Sequence, residues 1–366
     1  MRIGLVIYGD LSTASGGFLY DRMLVDSLRR GGDTVDVISF PWKGYARCLL
    51  QNYDRPLRAA LLGWNGDLLL QDELNHPSLF SLNRTFRRLR PVPVIAVVHH
   101  LRTSERNTVA ARGLYHRVER AYLRSVDGFV FNSHATRGSV ERITGGPVQG
   151  MVATPGGDRL GPLPSEQEVL HRSAEEGPLR VLFVGNIIPR KGLSSVIDAL
   201  GRVPSRLWRL TIAGSRTVDT ACAAEVDRAV AARGLGGSVR MAGQLDDARL
   251  VEAYRTHHVL AVPSQYEGFG IVYLEAMGFG VVPIGSRTGG AAEVIEHGKS
   301  GCLVKPGDAR ALADTITGLA VDRALLCSMA LEARRRFRKF PGWERSMNAV
   351  RDHLHELVRQ RRTLDG

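Results

Sequence analysis

A short apolar run over residues 3–8 opens the chain, an amphipathic stretch follows over 17–30, and a second run rich in branched side chains covers 34–40. Runs of this length predict buried strands, and the stretch between them has helical spacing, so the opening reads as β-α-β. Further strands are predicted at 68–70, 92–98 and 128–132, with a helix from about 110 to 124 before the last of them. The same grammar restarts after residue 180. Strands are predicted at 180–185, 208–213, 239–242, 259–263 and 281–286, and helices at 192–200, 220–233, 247–255 and 271–278. Between the two series, Pro155, Gly156, Gly157, Gly161, Pro162 and Pro164 crowd a segment with few apolar residues, which reads as a linker.

The expected fold class is therefore α/β, with an N-terminal Rossmann-like domain over 1–155, a linker over 156–178 and a C-terminal Rossmann-like domain over 179–342. A basic helix over 343–362 ends the chain, and residues 343–366 are a candidate to pack back on the first domain. Two domains in 366 residues suit the usual domain size, and 44% hydrophobic with 23% charged residues is ordinary for a globular protein. No stretch reaches the roughly 20 apolar residues needed to span a bilayer, and Gly9 and Asp10 stop the first run, so that run is read as a strand and not as a signal peptide. Cys48, Cys222, Cys302 and Cys327 stand far apart, which suggests neither a disulfide framework nor a zinc site and fits a cytoplasmic protein.

Charge changes the picture in one place. Of the net +12, the segment 84–124 carries ten arginines against Glu105 and Glu119, a local +8. Arg117, Arg120 and Arg124 share a helix face, with Arg106 nearby. Such a face suits an anionic lipid surface or a phosphorylated acceptor, or is simply solvated. Few aromatics interleave with it and no recognition motif accompanies it, which argues against nucleic acid.

Candidate chemistry concentrates after residue 180. In Pro263-Ser-Gln-Tyr-Glu267-Gly268-Phe269-Gly270-Ile271-Val272-Tyr-Leu-Glu275-Ala-Met, a strand end passes through a glycine turn into a helix. The unpaired amides of a helix start favour an anion such as a diphosphate. Glu267 and Glu275, with seven residues between them, place acceptors for hydroxyl groups on either side of it; as isolated acids they could equally cap the turn and face solvent. Upstream, Val181 to Gly192 puts Arg190 and Lys191 in the loop after a strand, where cations neutralise a leaving diphosphate.

The first of these segments resembles the Glu-(seven residues)-Glu motif of the family 4 retaining glycosyltransferases, and the chain is similar to that family over roughly residues 3–345. The resemblance implies the GT-B architecture, two Rossmann-like domains facing across a cleft, and transfer of a sugar from a nucleotide-diphospho-sugar to an acceptor hydroxyl. It implies that Glu267 faces the donor sugar, that Gly268 and the amides of Phe269, Gly270, Ile271 and Val272 hold sugar and phosphate, and that Glu275 takes the ribose. Lys191 resembles the phosphate-binding lysine of the family's G-R-x-x-x-x-K-G loop. Asn186 stands where that loop has its arginine, which leaves Arg190 as a substitute. Gly16 and Gly17 resemble the family's glycine-rich loop, and Leu245 with Asp247 the loop that holds the base. His99, ending the strand 92–98, resembles the histidine beside the reacting sugar. With Glu267 and Lys191 it makes up the expected catalytic set, and its neighbour His100 joins Asp72, Glu73 and His76 as candidate acceptor contacts in polar loops that face the cleft. The resemblance further implies retention of configuration without a metal or any cofactor beyond the donor substrate. The acceptor is expected to be a glycan, lipid or small molecule, and the enzyme to be cytoplasmic, at the inner face of the plasma membrane if the basic segment docks there. Two alternatives use the same pocket: a non-transferase GT-B enzyme such as a sugar-nucleotide epimerase, and a nucleotide-sugar-binding protein weakened in catalysis, for which Asn186 is the argument.

Overall fold

The computed structural model describes residues 1–105 and 108–365, and within them the backbone hydrogen bonds form two six-stranded parallel sheets. In the first, β1 (Arg2–Tyr8), β2 (Thr34–Phe40), β3 (Leu68–Asp72), β4 (Val94–Val98), β5 (Gly128–Phe131) and β6 (Gly150–Val152) lie in the order β2-β1-β3-β4-β5-β6. In the second, β7 (Leu179–Val184), β8 (Trp208–Ala213), β9 (Val239–Gly243), β10 (Val259–Ala261), β11 (Val282–Ser286) and β12 (Cys302–Val304) lie in the order β12-β11-β10-β7-β8-β9. Strands β3, β4 and β5 are buried on both faces, as parallel strands covered by helices are, which is why β4, β5 and the first three residues of β3 read as apolar runs with no alternation.

The chain divides into two compact units, Met1–Pro155 with the segment from Gly342 onward, and Gly156–Pro341. Each is Rossmann-like, so the protein has the GT-B architecture. In the first unit Phe40, Leu69, Leu79, Phe86, Val98, Tyr122 and Phe131 belong to one buried core. The C-terminal helix Trp343–Asp365 is part of this unit and lies along the helix Gly16–Arg30. Its anchor is Asp33, whose buried carboxylate accepts from the N-terminal ammonium at 2.7 Å, from Arg351 Nε at 2.7 Å and from His355 Nε2 at 3.0 Å. Trp343 also stands edge-on to Tyr20, with ring centroids 5.9 Å apart.

Residues 156–178, expected as a linker, belong instead to the second unit. Ser165 and Glu168 close a capping box on the helix Glu166–Ala174, and that helix buries Val169 and Arg172. Arg172 donates to the carbonyls of Tyr254, Arg255, Phe279 and Gly280 at 2.8–3.3 Å, tying the helix to two others of the unit. The proline and glycine content comes from the loop leading into this helix. Among the described residues, no helix is long and apolar enough to cross a membrane.

The segments at and just past the strands' carboxyl ends hold or lead into candidate residues: 9–15 after β1, 73–75 after β3, 99–101 after β4, 185–192 after β7 and 262–270 after β10. Carboxyl edges of open parallel sheets are where such folds bind ligands.

Candidate functional site

In the second unit, the loop after β7 tightens into the turn Pro189–Lys191 and is closed by Gly192 at φ +75°. A Cβ on Gly192 would stand 2.4 Å from the Pro263 carbonyl oxygen, so only glycine lets this loop lie against the turn after β10. The Gln265 amide donates to the Arg190 carbonyl at 2.8 Å, and the Arg190 guanidinium donates to the Tyr266 carbonyl at 3.0 Å. The two loops thereby bring Lys191 Nζ to 2.5 Å from Glu267 Oε1, which also accepts from Ser264 Oγ at 2.7 Å and has Arg190 Nη1 at 3.9 Å. Burial alone would raise the Glu267 carboxyl; the Lys191 ammonium and the Arg190 guanidinium outweigh it and hold it at about 2. Arg190 thus joins the cluster by its position, whereas Asn186 contributes no charge.

Glu267 is also fixed from the far side. Gly289, at φ +70°, pairs with it as an isolated parallel bridge, and the Gly290 amide donates to the Glu267 carbonyl at 2.8 Å. A Cβ on Gly289 would lie 2.0 Å from that carbonyl oxygen. No expectation attached to Gly289 or Gly290, because a Gly-Gly pair in a loop has many uses. Past Glu267 the chain runs through Gly268 and Phe269 to Gly270, which caps the helix Ile271–Gly278. The first hydrogen bond back along the turn is from Tyr273 N to Gly270 O at 3.0 Å, so the amides of Gly270, Ile271 and Val272 precede the helical pattern. The Phe269 ring is buried and edge-on to Phe340, leaving the backbone as this residue's offering to a ligand.

Glu275 is buried one turn into that helix and accepts from Arg159 Nε at 2.6 Å and from Tyr254 OH at 3.3 Å. Burial raises its carboxyl above the usual range, with Arg159 opposing the shift. Arg159 reaches on through Nη1 to Asp247 Oδ1 at 2.5 Å, linking Glu275 to the start of the helix Asp247–Thr256 beside half-buried Leu245. Arg159 escaped the sequence reading because it sits in the supposed linker, far from any motif.

In the first unit, Gly16 and Gly17 open the helix Gly16–Arg30, capped by Ser15 Oγ, which accepts from the Phe18 amide at 3.3 Å. Gly17 faces His99: a Cβ there would lie 3.1 Å from the ring. His99 is buried, its Nε2 lies 3.0 Å from Asp21 Oδ1, and its carbonyl accepts from the Asn132 amide group at 2.9 Å. Burial favours the neutral ring, but Asp21, Asp72 and Glu73 prevail and raise it to about 9. His100 turns to Glu105, 3.1 Å away.

The acceptor candidates Asp72, Glu73 and His76, expected on a polar loop facing the cleft, are all buried in the first unit. Burial raises the carboxyls of Asp72 and Glu73 to about 8 and lowers His76 to about 4. His76 Nδ1 meets the Glu73 carbonyl at 3.0 Å and Nε2 meets Tyr45 OH at 3.2 Å. Among the described residues, two groups gather carboxylates with an imidazole closely enough to bear on cation binding, Asp21 with Asp72 and His99, and Glu73 with His76 and Glu119. In the second, both ring nitrogens are engaged, and Glu119 accepts from the amides of Arg102 and Thr103 and from the Thr103 hydroxyl.

The basic segment divides. Arg84, Arg87, Arg88 and Arg90 line a surface cavity of about 300 Å³ together with Arg361, Val92 and Asp127. Arg112, Arg117, Arg120 and Arg124 are exposed on or at the end of the helix Val109–Leu123. Arg106 lies outside the described residues.

Residues 166–339 match the family of glycosyl transferases group 1. Among similar proteins, a D-inositol 3-phosphate glycosyltransferase of Corynebacterium jeikeium is 33% identical over 218 residues, covering 56% of this chain and 51% of that one. A glycogen synthase of Mycobacterium tuberculosis is 31% identical over 175 residues, 47% of this chain and 41% of that one. The chain spans about half the length of these relatives. Among solved structures, sucrose-phosphate synthase from Thermosynechococcus elongatus superposes with a TM-score of 0.83 at 22% identity, over 98% of this chain and 100% of that one. Anabaena HepE in complex with UDP-glucose superposes with a TM-score of 0.78 at 19% identity, over 97% and 100%. At these identities the likeness shows the fold.

Proposed function

We propose, on the match of residues 166–339 to the glycosyl transferases group 1, that the protein moves a sugar, a hexose in the first instance, from a nucleotide-diphospho-sugar to an acceptor hydroxyl. The observation that carries this reading is the Lys191–Glu267–Arg190 cluster, formed in the turn that leads through Gly268 and Phe269 into the helix capped by Gly270. It offers two cations and a helix start to a diphosphate, and a carboxylate to sugar hydroxyls. HepE, whose structure holds UDP-glucose, has the same fold, and uridine diphosphate is therefore the first nucleotide to try.

In the proposed reaction the bond between the anomeric carbon and the diphosphate oxygen breaks as the acceptor oxygen bonds to that carbon on the same face. The acceptor's proton passes to the departing phosphate oxygen. Lys191, Arg190 and the helix amides stabilise the charge that develops on the diphosphate, while Glu275 holds the ribose and releases Arg159 to Asp247 and solvent. No step calls on a metal. Anomeric coupling constants in the proton NMR spectrum of the product test retention, and chelator-treated enzyme tests metal independence: an inverted product or a rate abolished by chelation contradicts the respective part.

His99 is assigned to the transferred sugar and not to the nucleotide. His99→Ala is expected to bind uridine diphosphate as wild type does while transferring at least about tenfold more slowly, the loss of one charge-assisted hydrogen bond. Titration calorimetry beside a rate assay reads both, and the same phenotype in His100→Ala with His99→Ala unaffected would exchange the two roles.

The exposed arginines of the first unit further favour an anionic or lipid-linked acceptor at the inner membrane face. Each basic residue at an anionic surface contributes about 1 kcal/mol, so the protein is expected to sediment with anionic vesicles at low salt and to leave them at high salt. Equal partitioning to neutral and anionic vesicles at low salt contradicts the docking role.

A further inference from the structure

Three buried side chains from different elements meet in the first unit: Asp21 from the helix Gly16–Arg30, Asp72 from the end of β3 and His99 from just past β4. Their ligating atoms all lie within 4.8 Å of one another. His99 Nε2 and Asp21 Oδ1 make the hydrogen bond of the group at 3.0 Å, and Asp72 spends Oδ1 on the Leu74 amide at 3.0 Å. Among the described residues, Asp21 Oδ2 and Asp72 Oδ2 are buried with no hydrogen-bond partner. The imidazole is held on its other sides as well, with Tyr20 edge-on at 5.3 Å between centroids and the Gly17 backbone against Cδ2.

A ring held this way has one nitrogen committed. Resting on the glycosyltransferase reading above, we propose that Asp21 is a positioning residue for His99: its carboxylate fixes Nε2–H, so that Nδ1 is the nitrogen left to meet a hydroxyl of the transferred sugar or acceptor. The acidic groups facing the ring, Asp21 on the helix, Asp72 at the end of β3 and Glu73 just past it, favour the imidazolium against the effect of burial, placing its titration at about 9. An imidazolium donates from Nδ1 and accepts nothing. His99 is therefore a donor to substrate through the neutral range, and the acceptor's proton goes elsewhere, to the leaving phosphate. A His–carboxylate pair of this kind orients the ring and stabilises the imidazolium, as a buried aspartate does for a catalytic histidine in hydrolases.

The test is long-range proton–nitrogen NMR of the histidine side chains in the full chain, with His99→Gln for assignment. In wild type both His99 nitrogens are expected to be protonated at pH 7.5, with the ring titrating on the alkaline side. In Asp21→Asn the midpoint is expected to fall by about one pH unit or more, with transfer slowed about tenfold and affinity for uridine diphosphate unchanged; Asp21→Glu, which keeps the charge, restores the protonated ring. A His99 titration unmoved in Asp21→Asn overturns the assignment. So does a stoichiometric divalent metal found in the purified protein with His99 as its ligand. If Asp21→Asn does not fold, a neutral His99 ring at pH 7.5 in Asp21→Glu overturns it equally. Should the NMR behave as expected while wild type transfers no sugar from any donor, the positioning role stands and the transferase reading fails.

Discussion

Lys191→Ala is expected to lower turnover at saturating donor about 100-fold, the usual cost of removing one preorganised donor from a developing oxyanion. The ammonium lies 2.5 Å from Glu267, partly buried, at the end of a loop pinned by Gly192. It is the cation closest to the Glu267 carboxylate, and Arg190 at 3.9 Å from the same carboxylate is the partial replacement. The substitution also strips a buried carboxylate of its main partner, which costs stability by about 3 kcal/mol or more, so the rate must be read on protein shown to be folded. The pH dependence gives a second reading. Glu267 titrates at about 2 in the folded chain, below its ordinary value near 4.5, so the pair's contribution is fully present above that ordinary value and is lost as pH falls toward 2. The variant should lack most of this acid-side loss. Unchanged turnover in folded Lys191→Ala would contradict the leaving-group role.

Glu275→Ala is expected to weaken binding of uridine diphosphate by about 10- to 100-fold, the range for hydrogen bonds to a charged group, and to leave turnover at saturating donor within a few-fold of wild type. The carboxylate is buried and already engaged by Arg159 and Tyr254. A ribose diol that replaces Arg159 there exchanges one charge-assisted contact for two hydroxyl donors, and the removed side chain leaves neither. Calorimetry giving the same dissociation constant for wild type and variant would contradict the ribose assignment.

Much of this arrangement was legible in the chain because its parts are local. The apolar runs that became β1, β4, β7 and β8 are long enough for periodicity to speak, and the loop after β10 carries its glycines and glutamates in one contiguous phrase. What was missed depends on distance. Strands β6 and β12 are three residues each and have no period to read. Arg159 meets Glu275 across 116 residues, and Asp21 meets His99 across 78. The helix Glu166–Ala174 did carry a local sign, Ser165 three residues before Glu168, but the surrounding prolines and glycines outweighed it. Asp72, Glu73 and His76 read as a polar loop, and their type gave no sign of their burial, in which His76 reaches Tyr45 OH. Polar composition alone cannot separate a solvated environment from a buried one.

If the second unit holds a nucleotide-diphospho-sugar whose bond to the diphosphate is broken in transfer, uridine diphosphate is released from UDP-glucose, and this release is to be measured in the presence and absence of polyol phosphate and lipid-linked acceptors. The predicted result is acceptor-stimulated release by wild type, one nucleotide for each glycoside formed, and little release by Lys191→Ala. Tight binding of the nucleotide sugar with no release above the uncatalysed rate, across acceptors and across donors with other bases and sugars, would contradict it.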